Sequence, residues 1–228
     1  MTEESARSRG SWLRDLILGG QDGLVNVLGI VLGVSAASEE VRVLLAAGLA
    51  ATFAEGVSMG AVAWTSSMAQ ADHYESERER WRADLSGSPT KGREALRRIY
   101  SAKGFSGDLL DRIVETICTD QKTALSTIMN EELGLEPVDT GAVRRSALNV
   151  GVATIVGSLI PLVPFFFLAR TPALWSAVAL SAAALFFVGA FEAKTSIGDW
   201  RKKGLQMTMI GLGAAAVGYF AGRIFGAQ

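Results

Sequence analysis

Five stretches of clustered apolar residues divide this chain, near 16–37, 41–68, 143–169, 172–196 and 204–226, and a polar, charged insert separates the second from the third. Each is long enough to cross a hydrocarbon core, which takes about 20 helical residues. The pattern predicts an all-α membrane protein with five transmembrane helices and a cytoplasmic helical domain inserted between the second and third. Residues 1–68 form the N-terminal segment and first two spans, 69–142 the insert, and 143–228 the last three spans.

The insert has its own punctuation. From Ala69 to Asp84 there is neither proline nor glycine, so the second span is expected to continue into the cytoplasm as a stalk. Ser86-Gly87-Ser88-Pro89 breaks it. A short helix should end at Lys103-Gly104, with glycine supplying the C-cap. Ser106 can cap the next, whose apolar face is Leu109, Leu110, Ile113, Val114 and Ile117. A last helix is expected from Thr119 to Leu133, closed by Gly134 and Pro137. A domain of this size is marginal alone and should dimerise or lean on the stalk. In the third span, Ile160-Pro161-Leu162-Val163-Pro164 predicts a kink.

Basic residues orient the spans. Arg7, Arg9 and Arg14 precede the first, the insert is rich in Lys and Arg, and Lys194, Arg201, Lys202 and Lys203 flank the fourth turn. The intervening turns carry Arg42 or Arg170, and the tail Arg223. This alternation places the N-terminus and insert in the cytoplasm and the C-terminus on the far side; a bacterial-type cell membrane is the expected location. Trp64, Trp175 and Trp200 suit interfacial belts.

Composition narrows the chemistry. Of 228 residues 49% are hydrophobic, and the net charge is −1, which offers no field for nucleic acid. The single cysteine, Cys118, and single histidine, His73, exclude a disulfide framework, Cys/His zinc sites and Cys/His or Ser/His catalytic pairs. Cys118 reads as a small core residue and His73 as an interfacial one. No enzyme activity is expected.

Two acids stand inside the first two apolar runs, Asp22 and Glu55. A carboxylate near the bilayer centre costs roughly 2.5–3.5 kcal/mol even on the lenient insertion scale, so its presence calls for a cation or a proton. Asp22 and Asn26 lie four apart on one helical face, as do Glu55 and Met59. Oxygen donors suit hard divalent cations, and a thioether shifts preference toward later transition metals; the four residues offer a mixed site for Fe²⁺, Mn²⁺ or their neighbours. The structural alternative is a protonated acid, or one paired with a membrane lysine such as Lys194. Gly19, Gly23, Gly29 and Gly33 are read as helix-packing positions. In the insert, Met129 and Glu132 share a face beside Glu131, while the stalk's alternating Glu75, Glu77, Arg78, Glu79, Arg80, Arg82 and Asp84 read mostly as a solvated face with i,i+4 pairs.

In order and spacing, Asp22-Gly23-Leu24 with its glycine-rich continuation, Val57-Ser58-Met59-Gly60, Ala71-Asp72-His73-Tyr74, Glu132-Leu133-Gly134-Leu135 and Ile160-Pro161-Leu162-Val163-Pro164 resemble the vacuolar iron transporters of plants and yeasts and their bacterial relatives, over nearly the whole chain. The resemblance implies a homodimer in membrane lipid that exports Fe²⁺, and often Mn²⁺, in exchange for protons, with metal as cargo and no resident cofactor. It matches Asp22 and Met59 to residues lining the pathway at the dimer interface, and Met129 and Glu132 to a metal-collecting group in the insert. There are departures. A second-span glutamate expected at Ala51 is replaced by Glu55 one turn on. Of the expected insert carboxylates at Trp81, Asp84, Gly92 and Ala95, only Asp84 remains, with Glu79 and Glu94 nearby, and Ile128 replaces a methionine. The expected metal set is therefore Asp22, Asn26, Glu55 and Met59 in the membrane, with Asp84, Met129 and Glu132 in the insert. The competing function is a membrane metal-binding sensor without transport; an intramembrane enzyme is disfavoured by the scarcity of His and Cys.

Overall fold

The computed structural model describes residues 3–195 and 198–226, with side chains from Trp12 onward except Pro89. Arg7 and Arg9, used above for orientation, lie outside the described side chains. The described residues form helices α1 (Glu3–Ala37), α2 (Val41–Gly87), α3 (Pro89–Ala102), α4 (Gly107–Cys118), α5 (Gln121–Glu131), α6 (Thr140–Leu159), α7 (Pro164–Phe167), α8 (Arg170–Thr195) and α9 (Trp200–Gly226). Strands are absent among them. Among the described residues, four helical segments are long and apolar enough to cross a membrane: Trp12–Ala37, Val41–Gly87, Arg170–Thr195 and Trp200–Gly226.

The expected kinked third span is corrected here. Prolines at 161 and 164 lack the N–H that would continue the ladder, and their rings crowd the preceding turn. The helix therefore stops at Leu159. A turn follows, in which the Leu162 and Val163 N–H groups both donate to the Leu159 carbonyl at 3.0 Å, before the one-turn α7.

Residues 1–64 and 144–228 form one compact unit and residues 65–143 another. In the first, small residues set the helix contacts. A Cβ on Gly19 or Gly23 would meet the carbonyls of Val150 or Thr154 in α6, and one on Gly157 would overlap the Gly20 backbone. From the other side, Gly56 packs on Ile155, and a Cβ on Gly60 would lie 3.1 Å from the Ala147 carbonyl oxygen. The helix α6 is thus held against both α1 and α2, backbone to backbone, as small residues permit in lipid. The same device joins α9 to α1, where Gly218 and Gly222 lie on Gly29 and Gly33. Val27, Val31, Leu44, Leu162, Phe165, Ala173 and Ala177 fill the core. Arg170 fastens the α1–α2 connection by donating to the carbonyls of Ser35 at 2.5 Å and Ser38 at 3.2 Å. Gly157→Leu is expected to force α1 and α6 apart and abolish recovery of monodisperse protein, because backbone, unlike a side-chain tip, cannot yield to the new atoms. Size-exclusion chromatography in detergent checks this.

The second unit is a helical cluster. Ala95, Leu96, Ile99, Leu110, Val114, Ala124 and Ile128 form its core, with Trp81 and Leu85 of α2 and Cys118 packed against it. Gly104 and Gly134 end their helices at φ +93° and +63°, conformations that suit glycine. Ser106 occupies the α4 N-cap position without a side-chain cap bond. The last helix begins at Gln121, later than expected. Asp120 caps it, accepting from the N–H of Lys122 at 3.2 Å and of Thr123 at 3.1 Å. The Thr123 hydroxyl, with those amides, holds the Asp120 carboxyl below the usual carboxylate range.

Candidate metal pathway

The three-residue connection between α1 and α2 makes an antiparallel pair of their apolar parts. One polar contact marks the register: the Asn26 amide nitrogen donates to Glu55 Oε1. Antiparallel running then sets Asp22, one turn before Asn26, level with Met59, one turn after Glu55. The Asp22 carboxylate lies within electrostatic reach of Glu55. Two carboxylates, an amide and a thioether thus occupy neighbouring turns of two packed helices.

This group is open on one side. Asp22, Glu55 and Met59 are half-buried and Asn26 is exposed, while Val62, seven residues on from Glu55 and on the same face of α2, is 54% exposed. Gly29, Gly33 and Gly218 continue the exposed side of Asn26 into a groove of about 420 Å³ between α1 and α9. Asn26 has one oxygen left for a ligand while its nitrogen orients Glu55, which leaves the second Glu55 oxygen available. Only two acids are present, and among the described residues no cluster of three or more His, Cys, Asp or Glu is placed to hold a metal ion. A divalent ion here would need the amide and thioether, water, or donors from a second copy.

Lys194 is not the partner of these acids. It lines a separate apolar pocket with Phe186, Phe191 and Trp200, and its neighbour Glu192 pairs with Lys203 at 2.8 Å. Two polar residues escaped the sequence reading. Asp15 is 3% exposed and sits one heptad before Asp22 on α1; the i,i+7 spacing was the available signal. Ser158 of α6 is buried beside Gly23, its hydroxyl without a hydrogen-bond partner among the described residues.

The insert residues are placed differently. Asp84 pairs with Lys91 at 2.8 Å, and Glu132 with Arg98 at 2.7 Å. Met129 is 1% exposed, and Glu131 pairs with Lys103 at 2.5 Å. Asp84, Met129 and Glu132 are therefore each engaged with a neighbour or with the core. Ala95 and Ile128 belong to that core, Trp81 packs on it, and Gly92 faces Leu85. Of the nearby acids, Glu94 shares a shallow charged groove with Arg93, Arg97, Asp111 and Glu115, and Glu79 is exposed.

Comparison with known proteins adds the lineage of this arrangement. The chain is 29% identical over 211 residues to vacuolar iron transporter 1 of Oryza sativa subsp. japonica, covering 92% of this chain and 84% of that protein. It is 29% identical to vacuolar iron transporter 2 of the same organism, with 92% and 86% covered. Against vacuolar iron transporter 1 of Arabidopsis thaliana it is 25% identical, with 94% and 86% covered. The sequence model of the VIT family matches residues 13–223, from the start of the first apolar helix to the end of the last, and the chain belongs to that family.

Proposed function

We propose that this member of a metal-transporter family moves Fe²⁺ or Mn²⁺ out of the cytoplasm in exchange for protons, working as a homodimer with Asp22, Asn26, Glu55 and Met59 on its pathway. The observation that carries the reading is the Asn26–Glu55 bond between α1 and α2, with Asp22 and Met59 one turn away. An exposed amide and two half-exposed carboxylates are expensive against lipid. A second copy on this face would shield them and double the donor set, which supports the dimer. Held against α1 and α2 by small residues, α6 serves as the third of five spans: 20 residues of helix reach about 30 Å. On that count the N-terminus and the helical insert lie on the cytoplasmic side and the C-terminus on the other.

Exchange with protons follows from the ligands. A carboxylate binds metal in its deprotonated form and a proton otherwise. Higher pH on the loading side favours metal, and lower pH on the release side displaces it. Proteoliposomes loaded with Fe²⁺, Mn²⁺, Co²⁺ or Zn²⁺ under an imposed pH gradient test this directly. Metal-dependent flux that follows the gradient is expected; metal binding without flux would make the protein a sensor, and flux indifferent to the gradient a uniporter.

Met59→Leu isolates the thioether. The swap conserves volume but removes the soft donor, so the preference should narrow toward harder ions such as Mn²⁺. An unchanged ion profile in the same vesicles would return Met59 to helix packing.

A further inference from the structure

The apolar groove between α1, α8 and the start of α9 is separate from the metal pathway and has a chemistry of its own. Its walls are Leu13, Leu16 and Ile17 of α1 with Phe187 and Phe191 of α8, and its volume is about 460 Å³. A single cation, Lys194, stands in the wall, without an ion-pair partner among the described residues. Trp200 also lines it, edge-on to Phe186 at 6.1 Å. The Arg201 guanidinium lies over the Trp200 ring, 5.1 Å from its centroid, which brings a second cation to the rim.

Neighbouring charges do not cancel these two. Glu192 is engaged by Lys203 at 2.8 Å. Asp199 caps α9, accepting the Arg201 backbone N–H at 2.9 Å, and Asp15, between the wall residues Leu13 and Leu16, is buried at 3% exposure. Lys202 adds a further exposed positive charge. The α9 N-terminus also favours an anion. An apolar trough with a lysine and an indole in its wall and an arginine stacked on that indole matches an amphiphile with an acyl chain and an anionic head. Basic pockets between membrane helices suit such headgroups. A free phosphate would leave the aromatic trough unused.

We propose that this groove is a binding site for an anionic phospholipid, its acyl chain along the α1–α8 walls and its phosphate between Lys194 and Arg201. The proposal needs only that the protein is embedded in a membrane, and stands apart from metal transport.

Native mass spectrometry of the full chain, exchanged into mixed phosphatidylglycerol and phosphatidylcholine, tests it. Wild type should retain phosphatidylglycerol in preference, and Lys194→Gln and Arg201→Gln should each weaken that preference roughly fivefold, the usual worth of one cation at a membrane surface. Lys194→Arg, which keeps the charge, should preserve it. Lys202→Gln removes the same charge outside the groove and should leave the preference unchanged. Equal retention of the two lipids by wild type would overturn the site. So would a loss in Lys202→Gln as large as in Lys194→Gln, since the preference would then follow net charge alone. Should Lys194→Gln not fold, the wild-type, Lys194→Arg and Lys202→Gln measurements still decide the matter.

Discussion

Glu55→Gln is expected to abolish metal flux while the protein still folds, inserts and elutes as wild type does. The glutamine carbonyl can accept the same bond from the Asn26 amide that Glu55 Oε1 accepts now, so the contact between α1 and α2 survives. What disappears is the negative charge. Asp22→Asn removes the second charge with equally little change in volume. Each should lower proteoliposome flux by more than about tenfold, since even the loss of outer-shell support commonly costs a metal site that much. Glu192→Gln is the matched control: its carboxylate is occupied by Lys203 at 2.8 Å, at the far end of α8, and its removal should leave flux nearly intact. Wild-type transport in Glu55→Gln or Asp22→Asn would sink the assignment of the pathway. Asn26→Ala should fall between the two groups, because it leaves both charges but frees Glu55 to swing.

Much of the membrane part was legible because apolar runs, breakers and small residues act locally. The α1–α2 connection, the break at Ser86–Pro89 and the glycine ends at 104 and 134 need only backbone chemistry to predict. The kink expected in the third span is instead a break after Leu159, because one proline in a membrane helix can be absorbed as a kink, whereas two, three residues apart, leave too few N–H groups to continue the ladder through them. The start of α5 shifted from Thr119 to Gln121, with Asp120 as its cap, for a related reason. A carboxylate offers two oxygens and takes both Lys122 and Thr123 amides, while the Thr119 hydroxyl turns back to the Glu115 carbonyl at 3.0 Å.

The four polar candidates in the membrane were readable for a different reason. A polar residue in lipid is visible against its background, and spacing of four puts Asp22 with Asn26 and Glu55 with Met59. Their meeting across two helices was not readable. It depends on how the α1–α2 turn and the glycines beside them, Gly23 and Gly56, seat both helices on α6, which lies beyond the insert, far along the chain. Asp15 was missed because it lies just outside the apolar run, where an acid is unremarkable until the packing shows it buried.

Met129 presents the opposite case, a residue whose chemistry is visible in the sequence but whose setting is not. Placed three residues before Glu132, its sulfur looks like half of a metal-collecting pair. The structure instead puts it at 1% exposure in the α3–α5 cluster, while Glu132 turns outward to Arg98. The two readings separate by substitution in the full chain. If Met129 is core, Met129→Leu preserves volume and should cost less than about 1.5 kcal/mol, with flux close to wild type. Met129→Ala opens a cavity at about 2–5 kcal/mol, enough to loosen a small helical unit. Its flux should therefore fall together with protease resistance of residues 65–143. A soft metal ligand predicts another pattern: leucine and alanine would lose transport alike, with folding intact in the leucine variant. Glu132→Gln completes the comparison, since removing an exposed partner of Arg98 should change stability by under about 1 kcal/mol. Strong loss of flux in Met129→Leu and Glu132→Gln together, at unchanged protease resistance, would restore the insert as a metal-collecting site.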